Sequence, residues 1–249
     1  MEDSVVKKIV CLFDLHVPFN INLKPIWDFV SDFQPDIVVF AGDVSDWSSV
    51  NHWLSDQSRA LDGGLIKQNY EDLHKVVLDP LQESAGKRCK KIYIEGNHEY
   101  FLTKASNADP NLRGYVELQQ NINLSKYNMS IIPINMPFQV GSNLVVIHGI
   151  YTNLYHAKKT VETYRVSTLY GHVHTFQSHT LVSPISNTQF YTGQAIGCLC
   201  DLNPMYMKNR PNAWVNGFCY IHLNSDDSFH HSPIVIVRNQ FRAEGKLYK

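Results

Sequence analysis

Five short apolar runs organise the first two thirds of the chain. They are KKIVCLF ending at Phe13, DIVVFAG at Gly42, KKIYIEG at Gly96, NLVVIHG at Gly149 and VSTLYGH at His172. Runs this short, without clean alternation, predict strands covered on both faces. Helical spacing fills most of the gaps. LKPIWDFVSDF places Pro25 at a helix start and Ile26, Phe29, Val30 and Phe33 on one stripe. LIKQNYEDLHKVVLDPL repeats apolar residues at Leu65, Ile66, Tyr70, Leu73, Val76 and Val77, and residues 152–165 carry Leu154, Tyr155, Val161 and Tyr164. Strands alternating with helices imply βαβ units. Beyond residue 175 the pattern changes to TFQSHTLVS, TQFYTGQAIG, GFCYIHLN and HHSPIVIVRN, which predict hairpins that form or extend a second sheet. No linker, repeat or low-complexity tract interrupts the chain, so a single domain over residues 1–249 is expected. Residues 46–64 read as an inserted loop leaving the second strand, and the basic tail RNQFRAEGKLYK as frayed.

Composition narrows the function classes. A formal charge of −1 excludes a global basic field, so contact with a polyanion would need a local patch. The five cysteines, at 11, 89, 198, 200 and 219, contain no CxxC spacing. They read as reduced core thiols, and the expected location is cytoplasmic. The opening MEDSVVKKIVCLFDLH is too short in its apolar run for a signal peptide, and no segment reaches the roughly 20 apolar residues of a membrane span. No membrane contact and no obligate protein partner are expected.

Ligands of open α/β sheets gather outside the carboxyl ends of strands. The residues at those ends share one chemistry. The first run is followed by Asp14 and His16, the second by Asp43 and Asp46, and the third by Asn97 and His98; the fourth contains His148, and the fifth runs into His172 and His174. Any one of these groups reads as turn chemistry or a core histidine. In GHVH, alternate strand positions would put both imidazoles on one face. Five groups at one sheet edge, all offering N or O donors, read instead as a metal site.

The ordered set D-x-H, G-D, G-N-H-E, a lone His and G-H-x-H resembles the calcineurin-like metallophosphoesterase superfamily over Asp14 to His174. The resemblance implies a four-layer αββα sandwich, two mixed sheets flanked by helices. It implies that Asp14, His16 and His174 hold one metal, that Asn97, His148 and His172 hold another, and that Asp43 bridges them. Two divalent cations roughly 3.5–4 Å apart clamp a phosphoryl oxygen and lower the pKa of a shared water, whose bridging hydroxide then attacks phosphorus. A mixed His, Asp and Asn shell favours manganese, iron or zinc over magnesium, with manganese the first expectation.

By the same resemblance, His98 protonates or stabilises the leaving oxygen rather than binding metal, and Asp46 orients His98 as in the phosphoprotein-phosphatase branch. That branch continues Asp-Arg-Gly, and its Arg clamps the phosphate. Here Trp47 comes after Asp46, which argues for a phosphodiester over a dianionic monoester. Trp47 could then stack a base. The expected substrate is a phosphodiester of a nucleic acid or nucleotide, with a phosphomonoesterase or nucleotide pyrophosphatase as the alternative. A scaffold of the same fold is disfavoured because every ligand position is filled. KRCKK, residues 87–91, reads as a solvated face opposite the metals, and MKNRPNAW, residues 207–214, has no evident place relative to the site. The surrounding GCLCDLNPMYMKNRPNAWVNGF resembles phage- and prophage-borne members of the superfamily.

Overall fold

A computed structural model describes residues 5–51, 65–186, 190–204 and 207–249. Its strands begin with β1 (Val5–Leu12), β2 (Ile37–Ala41), β3 (Lys90–Ile94), β4 (Met129–Ile132), β5 (Phe138–Val140), β6 (Leu144–Ile147) and β7 (Ser167–Tyr170). The second half adds β8 (Phe176–Val182), β9 (Phe190–Ile196), β10 (Gly217–Asn224), β11 (Phe229–Val235), β12 (Phe241–Ala243) and β13 (Lys246–Tyr248). One sheet has the order β11-β10-β1-β2-β3-β4 and the other β5-β6-β7-β9-β8. β1 to β4 run parallel, as do β6, β7 and β9; β5, β8, β10 and β11 are antiparallel to a neighbour, so both sheets are mixed.

The strand period of two explains why the first runs lack alternation. Val10 and Leu12 of β1 face the helical layer with Val38, Phe40 and Tyr93. Ile9 and Cys11 face the other way, with Val39, Ala41, Ile92 and Ile94, against Leu144, Val146, Leu169 and Ile196 of the second sheet. Both faces are dry. Helix α1 (Lys24–Phe33) and the helical stretch from Ile66 to Ala85 cover the outside of the first sheet. The latter contains a π-helical turn, His74–Leu78, just before Pro80, whose missing N–H cannot continue the ladder. The helix His156–Tyr164 covers the second sheet over Tyr170 and Ala195, completing four layers. Among the described residues no helix is long and apolar enough to cross a membrane. All five cysteines are buried and unpaired.

Three expectations change. The strands after residue 175 divide between the sheets: β8 and β9 extend the second, whereas the β10–β11 hairpin joins the first beside β1, with Cys219 opposite Cys11. A hairpin's own pattern does not say which open edge it meets. The tail is ordered rather than frayed: β12 and β13 pair, Phe241 and Tyr248 stack at 5.3 Å, and Tyr248 lies 5.5 Å from Phe29. Lys246 and Tyr248 also bond to Asp32 on α1. Within KRCKK, Lys91 is buried, its ammonium donating to Gln82 Oε1 at 2.8 Å and to the carbonyls of Gly86 and Cys89 at 2.9 and 3.0 Å. Three acceptors satisfy the charge that burial strips of water. Of the expected loop 46–64, residues 52–64 lie outside the described residues.

Phe29 is the hub joining α1 to the tail, with Phe33, Phe218, Tyr220, Phe241 and Tyr248 around it. Phe29→Ala should therefore destabilise by about 3–5 kcal/mol. The expected result is a lower urea midpoint with an unchanged m-value; a midpoint equal to wild type would contradict this account of the tail.

Candidate metal centre

The parallel strands of both sheets end at one edge, and the polar motifs begin one to three residues past those ends. β1 leads to Asp14 and His16, β2 to Asp43, β3 to Asn97 and His98, β6 to His148, and β7 to His172 and His174. Asp14, His16, Asp43, His172 and His174 all have φ between 49° and 69°, the left-handed region that non-glycine residues rarely adopt. Each such residue costs about 1–3 kcal/mol unless its surroundings impose it. Here the two turns zip together: His16 N donates to Asp43 O at 2.9 Å and Val17 N to Val44 O at 2.9 Å. Two glycines are dictated by close approach. A Cβ on Gly96 would lie 2.1 Å from Asp43 Oδ1, and one on Gly171 would lie 2.0 Å from Asp14 Oδ2.

The side chains converge in two neighbouring groups. In one, His174 Nε2 lies 3.3 Å from both His16 Nε2 and Asp14 Oδ1, and His16 Nε2 lies 3.8 Å from Asp43 Oδ2. In the other, His148 Nε2 lies 3.0 Å from Asn97 Oδ1 and 3.2 Å from Asp43 Oδ2, with the His172 ring 4.9 Å from that of His148. Asp43 is common to both. Its Oδ1 accepts the His98 N–H at 2.9 Å, at the start of the helix Asn97–Ala108, where the helix dipole favours an anion. Asp14 is held by the His172 N–H at 2.8 Å. His148 Nδ1 donates to the Ala41 carbonyl at 3.0 Å, which turns Nε2 towards Asp43 and Asn97.

His98 and Asp46 stand beside these groups. His98 Nδ1 donates to the Asp46 backbone carbonyl at 2.6 Å and lies 3.3 Å from the carboxylate. The carboxylate itself is nearer His16 Nδ1, at 3.1 Å, and accepts from the Ser48 hydroxyl. Asp46 thus orients two imidazoles, His98 chiefly through its backbone and His16 through its side chain.

Electrostatics in the site are those of interlocked carboxylates and imidazoles. Burial alone would push His148 down, but Asp43 outweighs it and lifts the imidazole to about 10. His16 is also raised: burial opposes, and the hydrogen bond to Asp46 prevails. The carboxyl of Asp43 is held well below its ordinary range; burial opposes this, and His148 and His98 overcome it. His172 is lowered by burial and by its neighbour His148. The proton on His148 sets a positive charge 3.2 Å from the Asp43 carboxylate.

Two expectations fail on geometry. Trp47 is fully buried in the core cluster against Tyr70, so its ring offers no face to a substrate. Its left-handed backbone, φ 50°, sends the side chain inward. GHVH is a bend past the end of β7, not a continuation of the strand; there His172 meets His148, and His174 meets His16.

Three contributors lay outside the sequence reading. Glu99 accepts from the amides of Asp43, Val44 and Gly96 at 2.8–2.9 Å and from Tyr93 OH at 2.9 Å. Its position three residues past Gly96, at the third residue of a helix, is the signal that could have found it. Cys200 Sγ lies 3.8 Å from His174 Nδ1, and the Trp214 ring stands near-perpendicular to His174 at 4.3 Å. Cys200 reads as a core thiol in the sequence, and the segment 207–214 that ends in Trp214 is notable there but has no assigned place.

The donor set fits divalent metal. Among the described residues, ligand atoms lie within 4.8 Å of one another in each of three groups: His16, Asp43 and His98; Asp43, His148 and His172; and His16, His174 and Cys200. Carboxylate, imidazole and amide donors facing one space suit transition ions better than magnesium.

A family model described as calcineurin-like phosphoesterase matches residues 7–187. The gene 54 proteins of Mycobacterium phages L5 and D29 are each 23% identical to the chain over 267 aligned residues, covering 98% of this chain and 99% of the relative. Their source agrees with the phage-type resemblance of residues 197–218. A single-mutant Vps29 from Entamoeba histolytica superposes with a TM-score of 0.48 at 13% identity, covering 97% of this chain and 99% of that one.

Because His148 keeps its proton up to about pH 10 without metal, a cation at Nε2 must expel it. Manganese titrated calorimetrically in buffers of different ionisation heat should release protons at neutral pH. Affinity should rise with pH, by up to about tenfold per unit for each proton displaced. Binding without proton release would contradict the geometry assigned to His148.

Proposed function

We propose, from the premise that the chain belongs to the calcineurin-like phosphoesterase family, that it is a metal-dependent phosphodiesterase acting on nucleic acid or nucleotides. The observation that carries this reading is the position of Asp43, whose carboxylate is shared by two ligand groups at one sheet edge. Asp14, His16 and His174 with Asp43 would hold one divalent ion, and Asn97, His148 and His172 with Asp43 a second, with manganese first and iron or zinc as alternatives. When bound there, the ions would supply Lewis acidity for the phosphoryl oxygens and for an attacking water, the ester P–O bond breaking as the new P–O bond forms.

The chain's own residues manage the leaving group. His98 Nδ1–H is engaged by the Asp46 carbonyl, so the proton for the departing oxygen is the one that the imidazolium form carries on Nε2. Glu99 fixes the turn carrying Asp43 and the helix start carrying His98, so the two keep one separation. The preference for a diester rests on the residue next to Asp46. Trp47 is buried where the phosphatase branch has its arginine, so that position supplies no fork for a dianion. The five buried, unpaired thiols favour a reducing, cytoplasmic setting.

His98→Ala should retain its metal while losing about 10²–10⁴ in kcat, with smaller losses for nitrophenyl than for alkyl leaving groups. Equal losses across leaving groups would remove His98 from the acid role. Wild type should show a higher kcat/KM for bis-nitrophenyl phosphate than for nitrophenyl phosphate. A better monoester would replace the diesterase reading with a phosphomonoesterase.

A further inference from the structure

The segment from Cys198 to Asn216 is bound to the metal edge at both of its ends. Leu199 N donates to Phe13 O and Asp14 O, each at 3.0 Å, and Ile21 N donates to Leu199 O at 2.9 Å. Val215 N donates to His174 O at 2.9 Å, and Trp214 forms a bridge with Thr175. Trp214 is fixed from the other side too: its amide donates to Asn212 Oδ1 at 3.0 Å, and Asn212 Nδ2 donates to Leu202 O at 2.9 Å. The indole is thereby set 4.3 Å from the His174 ring. Unlike Trp27 and Trp47, it is only partly buried.

Its surroundings have a consistent chemistry. Phe19, three residues past His16, is 38% exposed and tied to the same segment through the bond from Asp201 N to its carbonyl at 2.7 Å. Lys208 and Arg210 are exposed on this segment, and among the described residues neither meets a carboxylate. A partly open aromatic ring beside the candidate metal groups, with the exposed Lys208 and Arg210 on the same segment, suits a flat heterocycle attached to phosphate. Bases stack on such rings without regard to sequence, and cations meet the backbone.

We propose that Trp214 is the base platform of the site: the substrate is a nucleobase-bearing phosphodiester whose base stacks on Trp214 while its phosphate lies at Asp43. This rests on the phosphoesterase reading and adds the residue that selects the substrate. It also moves base recognition from Trp47 to the opposite end of the chain.

The test pairs two diesters with one leaving group, thymidine 5′-(4-nitrophenyl phosphate) and methyl 4-nitrophenyl phosphate, turned over by manganese-loaded full-length protein. Wild type should prefer the thymidine ester, and Trp214→Ala should reduce the ratio of the two kcat/KM values by about five- to 150-fold. Trp214→Phe should restore part of the ratio. A ratio unchanged in Trp214→Ala overturns the proposal, as does an equal fall for both esters, which a purely structural role against His174 would produce. Binding is measured separately in the slow His98→Ala background, comparing thymidine monophosphate with methyl phosphate by calorimetry. The thymidine compound should bind more tightly, and adding Trp214→Ala should erase the difference. If neither ester is hydrolysed, the phosphoesterase reading fails, and this binding comparison alone decides on Trp214.

Discussion

The site depends on one buried carboxylate that touches no substrate. Glu99 is 1% exposed, and an anion taken that far from water costs several kcal/mol unless donors replace the solvent. Three backbone amides and a tyrosine hydroxyl do so within 2.9 Å, with a longer contact from Ser45 N at 3.4 Å. Two of the amides belong to the turn after β2 and one to the turn after β3. The carboxylate therefore fastens together two strand ends that share no local sequence. Asp43 and His98, on opposite sides of that fastening, keep their separation because Glu99 has no slack. A shorter aspartate at this position would lack one methylene of reach, so the same donors could be met only by drawing the turns together.

Around that fixed point, charge compensation is spread through the site. Asp43 faces His148 at 3.2 Å and His16 at 3.8 Å, while Asp46 serves His16 and, through its carbonyl, His98. These carboxylates and imidazoles hold one another in place through short contacts from turns after different strands. The ligands stand on turns whose backbone is already committed: five candidate ligands are left-handed, and glycines leave no free volume at Asp43 and Asp14.

Most of the architecture was legible because its causes are local. A strand covered on both faces is a short apolar run, and the side chains at its carboxyl end are its immediate neighbours in the chain, so the candidate ligands could be read off in order. Features set by distant contacts could not. Nothing in GFCYIHLN says that it pairs with β1 rather than with the second sheet. Nothing in DWSS says that Trp47 turns into the core, because a left-handed φ at a tryptophan is imposed by its surroundings. GHVH looks like a strand, but the backbone bends there, past the end of β7. Trp214 lies 40 residues past His174 in the chain yet touches it, a proximity made by the bridge to Thr175.

The place of β10 has a temporal meaning. Asp14 and His16 are made about 200 residues before β10, yet among the described residues one side of the strand that carries them is paired by residues 217–224, and the helix behind it is sealed by Tyr248. During synthesis, which runs from the amino end at about 5–20 residues per second, β1 must wait with an open flank until residues 217–224 have left the ribosome. An unpaired strand edge is where nascent chains stick to one another. A ribosome that stops before β10 thus releases a chain that carries every motif from Asp14 to His174 on a sheet with one flank of β1 open.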